Sequence, residues 1–494
     1  MLGSPTKRSP ALVMVITLAA VGFVLWGASY LGTEVGRGNE SGIREIVVAV
    51  FGAVGVIMIL RQPVLGLSMV VGSLLIQNEL QEVRFITSMF TLLGVITAFA
   101  YILTRQDRRF FTRFNNPPLM LMSAYIMWTV ISNPSAAIDG TRNWLWTYIQ
   151  LLMLAALAAE LFNEKKLNVL LWTFMLACIP SALQSFMSAQ ITTDFSEDLV
   201  RGSGFQGNQN TLAFYLIIAT VMTLTLHFQT KDRRMHVVFF VLYAIYALGV
   251  VGTVSRAGFL LLIVAWVLTP VIRRLVTPPP ANLDEQKRRR RQRSSMILLG
   301  IVLVGGLTTF VIPDEYWGYL NNTLFRSNER DTGTQRRLEL AELAFNTWTN
   351  YPITGAGVGM FTEVSGEELG KEQSSHNMYL SVLAETGIVG FALFIGWMLA
   401  ALRELYLMAR KRDGERSYMA ALWLTILLLI FMRGPTASTL HYDKLVWMIS
   451  GVAVALSVRY APKQVDAGAN LPTNPLVRRA SRVTPGAQII EAQE

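Results

Sequence analysis

Apolar residues in this chain run in blocks. Ala11–Leu31, Ile86–Thr104, Leu212–Leu226, Gly258–Ile272 and Met296–Ile312 hold no charged residue, and blocks of this length cross a hydrocarbon core as helices. A soluble helix would show a polar face within each block, and these show none. The same reading extended along the chain gives about fourteen spans. They lie near residues 11–31, 44–60, 63–77, 86–104, 117–133, 146–162, 167–186, 210–228, 236–252, 257–272, 295–312, 377–409, 417–434 and 441–458. The block at 63–77 is short enough for a re-entrant or interfacial segment. The first block follows Lys7 and Arg8 without a small-residue cleavage site, so a retained span is expected. The predicted fold class is an all-α polytopic membrane protein with about 12–14 transmembrane helices.

Charge sharpens this topology. The net charge of +10 would suit nucleic acid, but the basic residues sit in short loops between apolar blocks, so no nucleic-acid partner is expected. With the N-terminus placed in the cytoplasm, the inside loops hold Arg105–Arg113, Asn163–Lys166, Lys231–Arg234, Lys287–Arg293 and Arg410–Arg416, and the tail holds Arg478, Arg479 and Arg482. Every strongly basic loop then falls on one side, where it would meet anionic membrane lipids. Both termini are expected in the cytoplasm.

The other side receives Gln190–Gln209, the turn Thr253–Arg256, the loop Pro313–Ser375 and Gly434–Leu440. At about sixty residues, Pro313–Ser375 exceeds an ordinary connection. Within it Arg336–Asn350 spaces Leu338, Ala341, Phe345 and Trp348 along one helical face. That face predicts an amphipathic helix on the outer interface, or packing on the bundle. The chain thus divides into N-terminal helices over 1–200, helices with outside arginines over 201–312 (including a basic loop at 273–294), the loop 313–375, C-terminal helices over 376–458, and a tail, 459–494, of disordered composition.

Three polar features converge on the outside. Arg201–Asn210 opens a span. Its glycines permit close approach, Asn208 or Asn210 can cap the helix, and helix N–H groups beside Arg201 suit an anion as well as a plain cap. Arg256 stands in a very short loop on the side where arginine is disfavoured, so it needs a partner or a head group to reach. The long loop supplies Arg336, Arg337, Gly355, Gly357 and Gly359, and its exit is Ser374–Ser375–His376–Asn377. Guanidinium groups bind phosphates bidentately, and a neutral histidine beside them suits removal of a hydroxyl proton. At a helix start among positive neighbours, the charged form of His376 is disfavoured. The chemistry implied is attack by an alcohol on a carbon bearing a phosphate leaving group.

Other candidates carry less. Cys178, the single cysteine, reads as a buried thiol. His227, His236 and His441 lie near span ends without ligand spacing. No metal site and no cofactor are expected, since the outside acids Glu363, Glu367, Glu368 and Glu372 read as solvated loop charges.

These motifs resemble the O-antigen ligase and polymerase superfamily of bacterial membrane glycosyltransferases. The resemblance runs from Arg201 to Ile395. It rests on Arg201-x-x-Gly204 with Asn208 and Asn210, Ser255-Arg256, Arg337 before Pro352 and Gly355-x-Gly357, and His376-Asn377-x-x-Leu380 with Glu385-x-Gly387. Gln209 stands where members often carry proline. The resemblance implies a GT-C-like helical fold in the bacterial inner membrane with a periplasmic active site. It further implies metal-independent, inverting transfer of a glycan from a polyprenyl (undecaprenyl) diphosphate donor. Arg201 and Arg256 would hold the diphosphate, helped by Arg337 and its neighbour Arg336, and His376 would be the base. Asn208, Asn210, Asn377, Glu385, Gly355 and Gly357 would support the site.

The acceptor is a glycan or lipid hydroxyl if the chain is a ligase, or a second lipid-linked repeat unit if it is a polymerase. Polysaccharide-assembly proteins are the expected protein partners. A flippase without chemistry would need ionisable residues at midmembrane in several spans. Here they gather at one edge.

Overall fold

The computed structural model describes residues 52–75, 89–104, 112–138, 144–188, 203–204, 208–230, 232–277, 283–284, 286–287, 290, 332–437 and 443–458. The expected spans at 11–31 and 295–312, the Arg201 end of its motif, most of the Lys287–Arg293 run, His441 and the tail lie outside the described residues. Every regular element among those described is helical.

We number the helices α1 (Gly52–Arg61), α2 (Pro63–Gly72), α3 (Met89–Thr104), α4 (Pro117–Ser132), α5 (Pro134–Ile138), α6 (Trp144–Leu161), α7 (Glu164–Ser188), α8 (Gln209–Gln229), α9 (Arg233–Gly252), α10 (Arg256–Val276), α11 (Thr332–Asn350), α12 (Phe361–Leu369), α13 (Met378–Arg410), α14 (Gly414–Arg433) and α15 (Lys444–Ser457). Seven are long and apolar enough to cross a membrane, and five shorter ones are also apolar. Each expected span that falls on described residues coincides with one of these helices. The protein is an all-α polytopic membrane protein. The short block at 63–77 forms α2 and a 3-10 turn to Leu75, about 20 Å of helix and less than a hydrocarbon thickness.

The hub is α8, with 94% of its apolar window buried against α7, α9, α10 and α14. Its neighbour α10 has only 22% buried, and its outward apolar surface is suited to lipid. The second half of the bundle is built on α13, which packs against α4, α14 and α15. Lipid tails are as apolar as leucine, so close packing rather than hydrophobicity must join such helices. On α15, Gly451 lies against the Ala155 carbonyl and Ala158 of α6, where a β-carbon would collide. Trp397 donates to Ser450 Oγ at 2.7 Å and closes the same core.

The basic segments meet at one end of this bundle. Asn168 donates to Glu415 at 2.8 Å, joining the start of α7 to that of α14. Arg273 donates to the Phe228 carbonyl at 3.3 Å, Arg412 to that of Leu275 at 3.3 Å, and Arg416 to that of Leu456 at 2.7 Å. These arginines satisfy carbonyls at helix C-termini that hydrocarbon would leave unpaired. His227 and His236 meet at this end, with tilted rings whose centroids lie 4.5 Å apart. The remaining candidate residues gather at the opposite end.

Candidate functional site

His376 sits on the approach to α13. Asn377 is the N-cap, and its side chain accepts from the N–H groups of Tyr379 and Leu380 at 3.0 and 3.2 Å. Ser375 brackets the same turn: its hydroxyl donates to the Asn377 carbonyl at 2.8 Å, accepts from the Asn377 N–H at 3.1 Å, and meets the Ser381 hydroxyl at 2.6 Å. Between these two anchored residues His376 takes φ 53°. That left-handed conformation is uncommon for a residue with a β-carbon and persists only where the surroundings impose it. The sequence placed His376 in the first helical turn. It lies one residue before the cap instead, because Asn377 has the side chain that can close the helix.

The ring of His376 is exposed, yet partial loss of hydration and then the charge of Arg337 lower its pKa from the usual 6.5. Both effects disfavour the imidazolium. The two loop arginines differ. Arg336 donates from Nε to Gln373 at 2.9 Å and pairs with Glu339 at 3.2 Å, so it ties α11 to the strand of loop that delivers His376. Arg337 is exposed and forms no hydrogen bond or ion pair among the described residues, which leaves its charge available.

The glycine-rich loop closes onto a broken helix. α13 is broken at Gly387, whose φ of 65° and ψ of −171° are not helical. The break strips hydrogen bonds from the backbone around it. The loop Tyr351–Gly359 supplies them. The N–H groups of Ala356 and Gly357 donate to the carbonyls of Ala384 and Glu385 at 2.9 and 3.0 Å, and the Ile388 N–H donates to the Pro352 carbonyl at 2.9 Å. Trp128 of α4 takes the Thr386 carbonyl at 2.9 Å, and Asn133 holds the Ala356 carbonyl at 2.9 Å. Glu385 is buried and its carboxylate accepts from the Gly359 N–H. Gly355, Gly357, Glu385 and Gly387 therefore form one latch that fixes the segment Met378–Thr386. The stretch from Ile388 to Arg410, about 34 Å at 1.5 Å per residue, is itself long enough to span.

The helix α11 packs through Leu340 and Ala344 onto Phe361 and Ala384. The face expected to pack or to meet lipid is a second stripe: Leu338 and Phe345 are about half exposed at 48% and 49%, and Phe345 stacks edge-on to Trp348. The small face wins the bundle because Ala344 against Ala384 permits closer approach. The bulky stripe is left outward, the disposition of an interfacial helix.

The other arginine motif joins this end through α8. Asn208 caps α8, accepting from the Thr211 N–H at 3.0 Å. Asn210 accepts from the Ser255 hydroxyl at 2.8 Å, and Ser255 caps α10, whose first residue is Arg256. The two asparagines are thus structural: one cap and one strut. Arg201 lies outside the described residues. Between the α8 start and the His376 turn stands a residue the sequence reading did not single out. Arg433, at the end of α14, is 8% exposed and donates to Thr211 at 3.2 Å, with Phe214 beneath its guanidinium at 4.4 Å. Two residues earlier, the Phe431 carbonyl accepts from Tyr379 at 2.8 Å. The signal was available: Arg433 ends an apolar run on the side assigned to the outside, as Arg256 begins one.

Starts of α8, α10, α13 and α15 and the end of α14 thus surround a cationic rim at one end of an apolar bundle, with a constrained, neutral-leaning histidine on it. This is a multi-pass membrane protein. Residues 240–395 match the family model described as O-antigen ligase, so this stretch is similar to that family. The match covers Arg256, Arg336, Arg337, the latch, His376 and Asn377. Arg201, Asn208, Asn210 and Arg433 fall outside it. No curated protein matches the chain.

Proposed function

We propose that the protein is a membrane glycosyltransferase that moves a preassembled glycan from a polyprenyl diphosphate to an acceptor hydroxyl at the outer face of the bacterial cytoplasmic membrane. The observation that carries this reading is His376: pinned before a capped helix, with its charge disfavoured by Arg337, within the stretch that matches the ligase family. The segregation of basic loops to the opposite end supports a cytoplasmic placement for that end and for both termini.

In the proposed reaction the acceptor oxygen attacks the anomeric carbon from the face opposite the diphosphate. The new carbon–oxygen bond forms as the bond to the phosphate oxygen breaks, with inversion. His376 takes the acceptor proton. Arg256, Arg337 and Arg201 hold the departing polyprenyl diphosphate as its charge grows, and the apolar bundle accommodates the prenyl chain. Arg336, Asn208, Asn210, Asn377, Glu385, Gly355 and Gly357 keep these groups in place.

Purified protein given a lipid-linked repeat unit and a candidate acceptor tests this directly. A single transfer to a second acceptor identifies a ligase. A ladder growing on the prenyl lipid identifies a polymerase. Moved lipid with no new glycosidic bond sinks the enzyme reading.

Two further outcomes are expected. Arg256→Gln should raise the KM for the lipid-linked donor by about 10–100-fold, the worth of a charge-assisted hydrogen bond, while the KM for acceptor stays near wild type. Initial rates against each substrate decide it. Activity should also fall on the acid side with a midpoint below 6.5, because His376 must be neutral and its pKa is lowered. Arg337→Gln removes a positive neighbour, so the acid limb should move to higher pH. A limb that stays put would separate the titrating group from His376.

A further inference from the structure

Arg433 has a free edge. Its Nη2 donates to Thr211, but Nη1 is buried with no hydrogen-bond partner, and among the described residues Arg433 forms no ion pair. Asp443 is the charge that acts on it most. Asp443 is itself occupied: Oδ2 accepts from the Tyr215 hydroxyl at 3.2 Å and Oδ1 from the Leu445 N–H at 2.8 Å, at the start of α15. A buried guanidinium with an unmet N–H is unfavourable unless something supplies an acceptor. The empty edge lies by the first turn of α8, where the helix dipole also favours an anion. Phe214 closes one face of the guanidinium, so an acceptor must approach in its plane, the approach that suits phosphate oxygens.

We propose that Arg433 is a further phosphoryl-binding residue, whose free edge at the start of α8 holds a phosphate of the prenyl-diphosphate donor, while Thr211 and Phe214 position it. This rests on the donor reading above. It adds a deeper contact to that reading. Arg337 is exposed at the loop, whereas Arg433 is sunk at the end of α14 against the first turn of α8. Anionic phospholipid offers the same chemistry, so the two sources have to be told apart.

The test uses the full chain in nanodiscs, with farnesyl diphosphate as the probe and farnesol as its uncharged control, read by calorimetry and by ligand-induced shift in Tm. Arg433→Gln should weaken farnesyl diphosphate binding by about 10–100-fold and leave farnesol binding unchanged. Wild-type protein that prefers farnesol, or that binds the two alike, sinks the donor reading itself. Weakened binding in Arg256→Gln with wild-type affinity in Arg433→Gln overturns only the role of Arg433. So does an Arg433→Gln protein with a lower unliganded Tm but intact affinity, the mark of a purely structural guanidinium. Loss confined to retention of phosphatidylglycerol assigns the edge to a head group and overturns the donor contact. If Arg433→Gln does not fold, Arg433→Lys keeps the charge without the planar fork. Several-fold weaker diphosphate binding is then expected, and wild-type affinity overturns the proposal.

Discussion

Replacing His376 with alanine should reduce glycan transfer by about 10²- to 10⁴-fold, the usual contribution of a positioned general base. The protein should still reach the membrane folded. The ring is exposed, and the turn is held by Ser375 and Asn377 through hydrogen bonds that do not involve the imidazole. Alanine faces the same left-handed backbone that histidine already occupies, at φ 53°, so only a small added cost, about 0.5 kcal/mol, is expected. That cost would show in Tm and cannot account for a loss of that size in rate. His376→Asn makes a useful companion, because asparagine tolerates this backbone and still cannot act as the base. Both variants should bind donor normally, since the cationic groups are untouched, and both should lose the acid limb of the pH profile. Transfer that survives in His376→Asn at a wild-type rate would end the base assignment.

The spans were legible because hydrocarbon imposes a length and forbids unpaired charge, so the apolar blocks alone mark them. His376 was legible for the same reason: a polar turn abutting a long apolar run has to be explained. The break in α13 was not. Gly387 sits inside a long helical span, and nothing local says that the helix stops there. The groups that make the break tolerable come from Pro352–Gly357, thirty-odd positions earlier and separated by α12, and from Trp128 and Asn133 in another part of the chain. A periodicity argument does not reach that far. The same limit explains α11. Its larger apolar residues mark the more conspicuous stripe, but packing selected Leu340 and Ala344, whose size fits Ala384. Arg433 was passed over because an arginine at a span end ordinarily reaches for head groups. Only the contact with Thr211 reveals that it turns inward.

Gly355→Ala and Gly387→Ala should each remove folded protein rather than activity alone. Each glycine makes room for the other's strand. A β-carbon on Gly355 would strike the backbone of Glu385 and Thr386, and one on Gly387 would strike the backbone of Ile353 and Gly355. Backbone cannot rotate away as a side chain can. Both positions also have positive φ, 72° and 65°. Left-handed strain and overpacking together suggest a loss of roughly 2–5 kcal/mol for either variant, a large part of a typical fold's margin. Gly370→Ala is the control. Its φ is 69°, but a β-carbon there meets nothing within 4 Å, so it should lose only about 1–2 kcal/mol. Thermal unfolding and size-exclusion profiles in detergent would rank the three. The double variant should be little worse than either single one, because both break the same contact and coupled sites are not additive. Strict additivity would mean that the two glycines serve separate purposes, and α13 would then keep its break without the loop. The latch carries His376 only through Met378–Thr386, so Gly355→Ala protein that does fold should show a lower kcat with its donor affinity preserved.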